Sequence, residues 1–166
     1  MKKVFVVFVL LIIPILAKAQ KPQEFKFNKN VDSVKDRLGW NFGGGTVNVE
    51  DGKFYFSFDG SERDANIRNG RIKAGVNKFV HVVMKCNSDV VDMLRLNFKR
   101  EDGSTKYVNL EMSNDDTEFK TYTFDLTQFE EWDGRKSLSL RFTNNKDKAT
   151  GSVVIEEIVL NNVATH

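Results

Sequence analysis

The chain has little of what catalytic and metal-binding proteins use: of 166 residues, one is cysteine and two are histidine. Cys86 has no intrachain partner for a disulfide, and within the apolar run 79–86 it reads as a small buried hydrophobe. A zinc centre needs a set of His and Cys ligands that this composition does not supply. Histidine catalysis would have to rest on His81, because His166 is the last residue. A Cys86–His81 dyad fails on spacing, since an odd separation on one strand sends the two side chains to opposite faces. No Gly-x-Ser-x-Gly nucleophile turn occurs. Gly43-Gly44-Gly45 lacks the Lys-Ser/Thr that completes a phosphate loop and reads as a flexible loop. Asn114-Asp115-Asp116 lacks the spaced oxygen ligands of an EF-hand and reads as a hairpin turn.

Long apolar runs are equally scarce. The one that exists spans residues 4–16, follows Lys2 and Lys3, and leads into Ala17-Lys18-Ala19. That is the layout of a secretory signal peptide over residues 1–19, with cleavage before Gln20 and a single domain over 20–166. No cysteine stands at the cleavage site to take a lipid, and no later run reaches the roughly 18 residues of a membrane span. The expected location is periplasmic or secreted. Removing Lys2, Lys3 and Lys18 from the 25 basic residues leaves 22 against 23 acidic ones, a balance of about −1. No global positive field remains to argue for nucleic acid.

What the body does contain is alternation. Phe54, Phe56 and Phe58 share one face of a strand, and Val80, Val82, Met84 and Cys86 share another. The same period places Leu94, Leu96 and Phe98 together, then Val108, Leu110 and Met112. Tyr122, Phe124 and Leu126 follow, then Leu138, Leu140 and Phe142. Residues 152–160 are nearly continuous apolar apart from Glu156 and Glu157, as for a central strand covered on both sides. Shorter strands are expected over 24–27, 46–50 and 65–68, and short helical turns over 31–38 and 127–132. Asp51-Gly52, Asp59-Gly60, Asn69-Gly70, Asp102-Gly103 and Asp133-Gly134 supply the turns between them. Both prolines, Pro14 and Pro22, precede these strands, so no ladder position lacks its donor. The pattern predicts an all-β protein, a two-sheet antiparallel β-sandwich. Jelly-roll topology is favoured over immunoglobulin-like, whose cysteine pair is missing.

The positions between core residues carry the candidate function. On the strands from 79 to 143 they include His81, Lys85, Arg95, Asn97, Lys99, Tyr107, Asn109, Glu111, Ser139 and Arg141. Such residues form either an ordinary solvated face or, if their strands share a sheet, a surface rich in forked donors, amides and an aromatic ring. Sugars suit the second case: their C–H faces pack on rings and their hydroxyls pair with Arg and Asn. Arg95 and Arg141 would also pair with a uronate carboxylate or a sulfate. Trp132 flanks a turn, as a core plug or a rim platform, and Arg68 is placed at the edge. For Trp40 the core is expected. Acids are plentiful, among them Glu111, Glu118, Asp125, Glu130, Glu131, Glu156 and Glu157, but their spacing selects no catalytic pair.

The order of local patterns resembles the galactose-binding-like jelly-roll family of carbohydrate-binding modules found in bacterial polysaccharide-degrading systems. The resemblance rests on the strand at 24–27, Gly39-Trp40, Asp64-Ala65-Asn66-Ile67 and Lys78-Phe79-Val80. It continues in Tyr122-Thr123-Phe124-Asp125-Leu126, Trp132-Asp133-Gly134 and the closing strand 151–160. It implies a non-catalytic module that binds a polysaccharide or oligosaccharide. The implied ligand-binding set is Arg68, His81, Arg95, Asn97, Tyr107, Asn109, Trp132 and Arg141. It also implies a possible structural calcium near Glu156 of Ile155-Glu156-Glu157-Ile158, with no other cofactor. A separately encoded enzyme or surface protein is a possible partner. Two other readings are a scaffold subunit of a surface or periplasmic assembly and a small polysaccharide lyase or hydrolase.

Overall fold

A computed structural model of the chain describes residues 21–30, 33, 38–61, 64–88, 91–143 and 148–165. The expected signal peptide at 1–19 and most of the expected helical turn at 31–38 lie outside them. Among the described residues no helix is long and apolar enough to cross a membrane.

Strands β1 (Gln23–Lys26), β3 (Thr46–Glu50), β4 (Lys53–Asp59), β6 (Phe79–Ser88), β9 (Lys120–Asp125) and β11 (Thr150–Asn161) make one sheet. Its order is β3-β4-β11-β6-β9, with β1 also paired to β11. The second sheet contains β2 (Trp40–Gly43), β5 (Asp64–Lys73), β7 (Met93–Lys99), β8 (Thr105–Glu111) and β10 (Arg135–Thr143), in the order β2-β5-β10-β7-β8. All pairings are antiparallel. Counted from β4 as the first strand, the two sheets run 1-8-3-6 and 2-7-4-5, which is jelly-roll winding. A short helix, α1 (Phe27–Asn30), follows β1.

Burial explains why these segments are strands. Phe54, Phe56, Val82, Met84 and Ile155 from the first sheet are fully buried, as are Ile67, Leu94, Leu96, Leu140 and Phe142 from the second. Rings meet across the gap, Phe42 to Phe54 at 4.5 Å between centroids and Phe56 to Phe142 at 5.7 Å. Each such side chain contributes roughly 1.5–3 kcal/mol by leaving water, so a one-residue slip of any strand would turn its apolar set outward. The run 152–160 is central, between β4 and β6, and Val154 and Val159 on its other face are buried as well. Gly45 carries the chain from β2 in one sheet to β3 in the other at φ 65°, where an added Cβ would lie 2.7 Å from the Ser57 carbonyl oxygen.

Several local expectations are corrected. Asn69-Gly70 is not a turn: it lies inside β5 beside a register irregularity between Lys136 and Leu138 of β10. The segment 127–132 is two successive turns, closed by Phe129 N–H to Leu126 O and Trp132 N–H to Phe129 O, instead of a helical turn. Asn114-Asp115-Asp116 belongs to the crossing from β8 to β9, which lie in different sheets, so it is no hairpin.

Candidate functional site

The outer face of the second sheet gathers most of the polar positions. Its register places Asn109, Arg95, Arg141 and Asn66 side by side across β8, β7, β10 and β5. The adjacent row runs Tyr107, Asn97, Ser139, Arg68 and Asn41. Alternation makes this possible: on each strand the neighbours of these residues, such as Leu94, Leu96, Leu140 and Ile67, point into the core. Arg68, Arg95, Asn97, Tyr107, Asn109 and Arg141, scattered along four strands of the sequence, are thus brought onto two neighbouring rows.

The face is ordered by its own contacts. Arg95 Nε donates to Asn109 Oδ1 at 2.8 Å, and its guanidinium carbon stands 5.2 Å from the centroid of the Tyr107 ring. That ring is 59% exposed on the edge strand β8, available as an apolar platform. Arg68 Nε donates to Ser137 Oγ at 3.0 Å. A depression of about 250 Å³ lies along the second of these rows and the positions beyond it, lined by Asn66, Arg68, Asn97, Phe98, Lys99, Thr105, Ser137 and Ser139, with no carboxylate among these described residues. Asn66 and Ser137 were not among the expected binding residues. Asn66 lies two residues from Arg68 on the same strand, a spacing that signals a shared face.

Three expected site residues lie elsewhere. His81 is not a surface or groove residue: it is fully buried, on β6 of the other sheet. Its Nε2 is 3.0 Å from both Asn161 Oδ1 and the Val163 carbonyl oxygen, and its Nδ1 is 2.8 Å from Thr123 Oγ1. With two carbonyl oxygens as partners Nε2 donates, and the ring acts as a tie between β6, β9 and the chain after β11. Trp132 is not at the rim. It is fully buried, packs edge-on to Phe98 at 5.1 Å and donates from Nε1 to the Asn77 carbonyl at 2.8 Å. Glu156 accepts from Asn28 Nδ2 at 3.2 Å, and among the described residues no group of His, Cys, Asp and Glu is arranged to hold a metal ion.

The outer face of the first sheet is partly covered by the chain itself. The ammonium groups of Lys53 and Lys85 each lie over the Phe119 ring, 5.7 and 5.4 Å from its centroid. Asp116 anchors this crossing: Oδ2 accepts from the Cys86 amide at 3.0 Å and the Tyr122 hydroxyl at 3.2 Å, while Oδ1 pairs with Lys120. Burial opposes its charge, but Lys120, the Cys86 amide and Ser113 outweigh it and hold the carboxyl below its ordinary value. Burial and then the Asp116 charge push both the Cys86 thiol and the Tyr122 hydroxyl up to about 12. Cys86 is therefore an inert core thiol.

Comparison with known structures places this architecture. A point mutant of a family 29 carbohydrate-binding module superposes with a TM-score of 0.56 at 12% identity, covering 86% of this chain and 93% of that one. The fold is one that carbohydrate-binding modules share. A family 61 module in complex with β-1,4-galactotriose gives 0.53 at 12% identity, over 82% and 94% of the two chains. An arabinose-bound α-L-arabinofuranosidase gives 0.52 at 10% identity, where the match covers 82% of this chain but only 26% of the enzyme. No protein-family model and no curated protein sequence matches the chain. At these identities the likeness establishes the shared sandwich; the arrangement of side chains on it is this protein's own.

Proposed function

We propose that the protein is a secreted, non-catalytic glycan-binding module whose site is the outer face of the β2-β5-β10-β7-β8 sheet. The observation that carries this reading is the assembly of Arg95, Asn97, Tyr107, Asn109, Arg141 and Arg68 on two adjacent rows of one sheet. Forked donors and amides beside an exposed ring match the mixed polar and C–H surface of a sugar. The structural neighbours that are carbohydrate-binding modules support the same reading. The leader-like residues 1–19 support secretion.

A glycan lyase or hydrolase would need a paired acid and base across the bound sugar. The described residues lining the depression on this face include no carboxylate, and the one described histidine is buried in the other sheet. A scaffold would be favoured by a contiguous apolar patch. Among the described residues the large exposed apolar side chains are Val76 between β5 and β6, Tyr107 on β8 and Val163 after β11.

Affinity electrophoresis of the purified protein through gels containing neutral or acidic polysaccharides tests the proposal. Retardation by at least one polymer is expected, and its reduction by Asn97→Ala and Tyr107→Ala. Unretarded migration in every gel would contradict it.

A further inference from the structure

We infer that the glycan this face takes carries pendant oxyanions, carboxylate or sulfate, and that Arg95 and Arg141 read them together. The inference rests on the glycan-binding reading above and adds the ligand's charge.

Arg95 and Arg141 are directly opposed in the β7–β10 register. Like charges set opposite each other repel, and an oxyanion bound to both would offset that repulsion. The chain as a whole is close to neutral, with 25 basic and 23 acidic residues, so the cluster is local. Arg68 and Lys99 extend it along β5 and β7; the strand carboxylate positions of this face are at its border, Glu111 opposite Met93 and Asp64, the first residue of β5, opposite Thr143.

Neighbouring acids do not cancel the charge of Arg68 or Arg95. These two use Nε on a serine hydroxyl and an asparagine carbonyl, and neither is paired with a carboxylate among the described residues. The outer nitrogens of Arg68 keep the forked geometry that fits a carboxylate or sulfate in two parallel bonds, while one outer nitrogen of Arg95 also contacts the Met93 sulfur at 3.8 Å. Because Arg95 is held between Asn109 and the Tyr107 ring, less side-chain freedom is lost when a ligand arrives. A neutral hydroxyl accepts a single bond from the same guanidinium, whereas a carboxylate or sulfate accepts two parallel ones and adds the attraction of opposite charges.

The test is the affinity of the purified protein for polygalacturonate, a sulfated galactan and a neutral β-galactan at low and high salt. The carboxyl-reduced form of the uronate polymer and a single-stranded oligonucleotide complete the set. Expected is binding to one acidic polymer at least about tenfold tighter than to the neutral one, weakened by salt. Arg95→Gln and Arg141→Gln should each weaken it about 10- to 100-fold. The uronate and sulfate arms distinguish the two oxyanions. If the uronate polymer is the ligand, its carboxyl-reduced form must lose binding, a result that does not depend on any variant folding. Binding to the neutral galactan alone, indifferent to Arg141→Gln, would overturn the inference and leave the glycan-binding reading standing. Equal binding of the oligonucleotide would also overturn it, as attraction to any polyanion. Failure to bind every glycan would remove both.

Discussion

Arg95 and Arg141 stand directly opposite each other on neighbouring antiparallel strands, two guanidinium groups on one solvent-facing surface. Each strand takes its place in the sheet because its alternate residues are buried, Leu94 and Leu96 on one side and Leu140 and Phe142 on the other. The core thus sets the register, and the register forces the two charges together.

The repulsion should be measurable without any ligand. A double-mutant cycle with Arg95→Gln and Arg141→Gln, read by urea unfolding, should return an unfavourable coupling of about 0.2–1 kcal/mol. The cycle isolates this pair from whatever else each arginine touches. The coupling should shrink as ionic strength rises. A favourable coupling would mean that the two groups share a counter-charge in the free protein.

Trp132 separates a core role from a rim role. Its Nε1 donates to the Asn77 carbonyl from a fully buried position. Trp132→Phe leaves that carbonyl without its partner and opens space beside Phe98, so a loss of about 1–3 kcal/mol is expected. Glycan affinity measured well below the melting temperature should not change. Normal stability with lost binding would return Trp132 to the rim.

Much of the fold was legible because burial imposes a period of two. The inward sets of β4, β6, β7 and β10 are the residues that alternation selects, and the buried second face of β11 follows from its near-continuous apolar run. Which strand joins which sheet is another matter. His81 and Arg95 both alternate with buried aliphatic residues and look alike locally. Yet His81 is roofed by Asn161 and Val163 while Arg95 faces solvent. Nothing near either residue in sequence reports that difference, because the roof over His81 comes from the far end of the chain. Asn69-Gly70 misleads for a related reason: a dipeptide suited to a turn is also suited to a bulge, and β10 decides between them.

Asp116 predicts the acid limb of stability. Its folded carboxyl lies below the ordinary 3.8, so its contribution is complete above that value and is lost as pH falls through the lower folded one. Asp116→Asn should cost about 1–3 kcal/mol at neutral pH, since it removes the charge that Lys120, the Cys86 amide and Tyr122 share. It should also flatten the fall in stability below about pH 4. Unfolding curves across the acid range check both. An unchanged acid limb in the variant would assign that limb to other carboxylates.

Cys86 should be silent in the native state. A thiol that burial pushes up to about 12 carries almost no thiolate at neutral pH. An aromatic disulfide reagent should therefore react with it only as the protein unfolds, at the unfolding rate. Fast reaction of the native protein would place the thiol at an accessible surface.

The most direct test of the account is to map where a bound glycan lies, by following backbone amide shifts of the labelled protein as oligosaccharide fragments are added. The largest changes should fall on β5, β7, β8 and β10, centred on Arg68, Arg95, Asn97, Tyr107, Asn109 and Arg141. Changes confined to the first sheet, around Phe119 and Lys85, or to the turns at the ends of the sandwich, would contradict it.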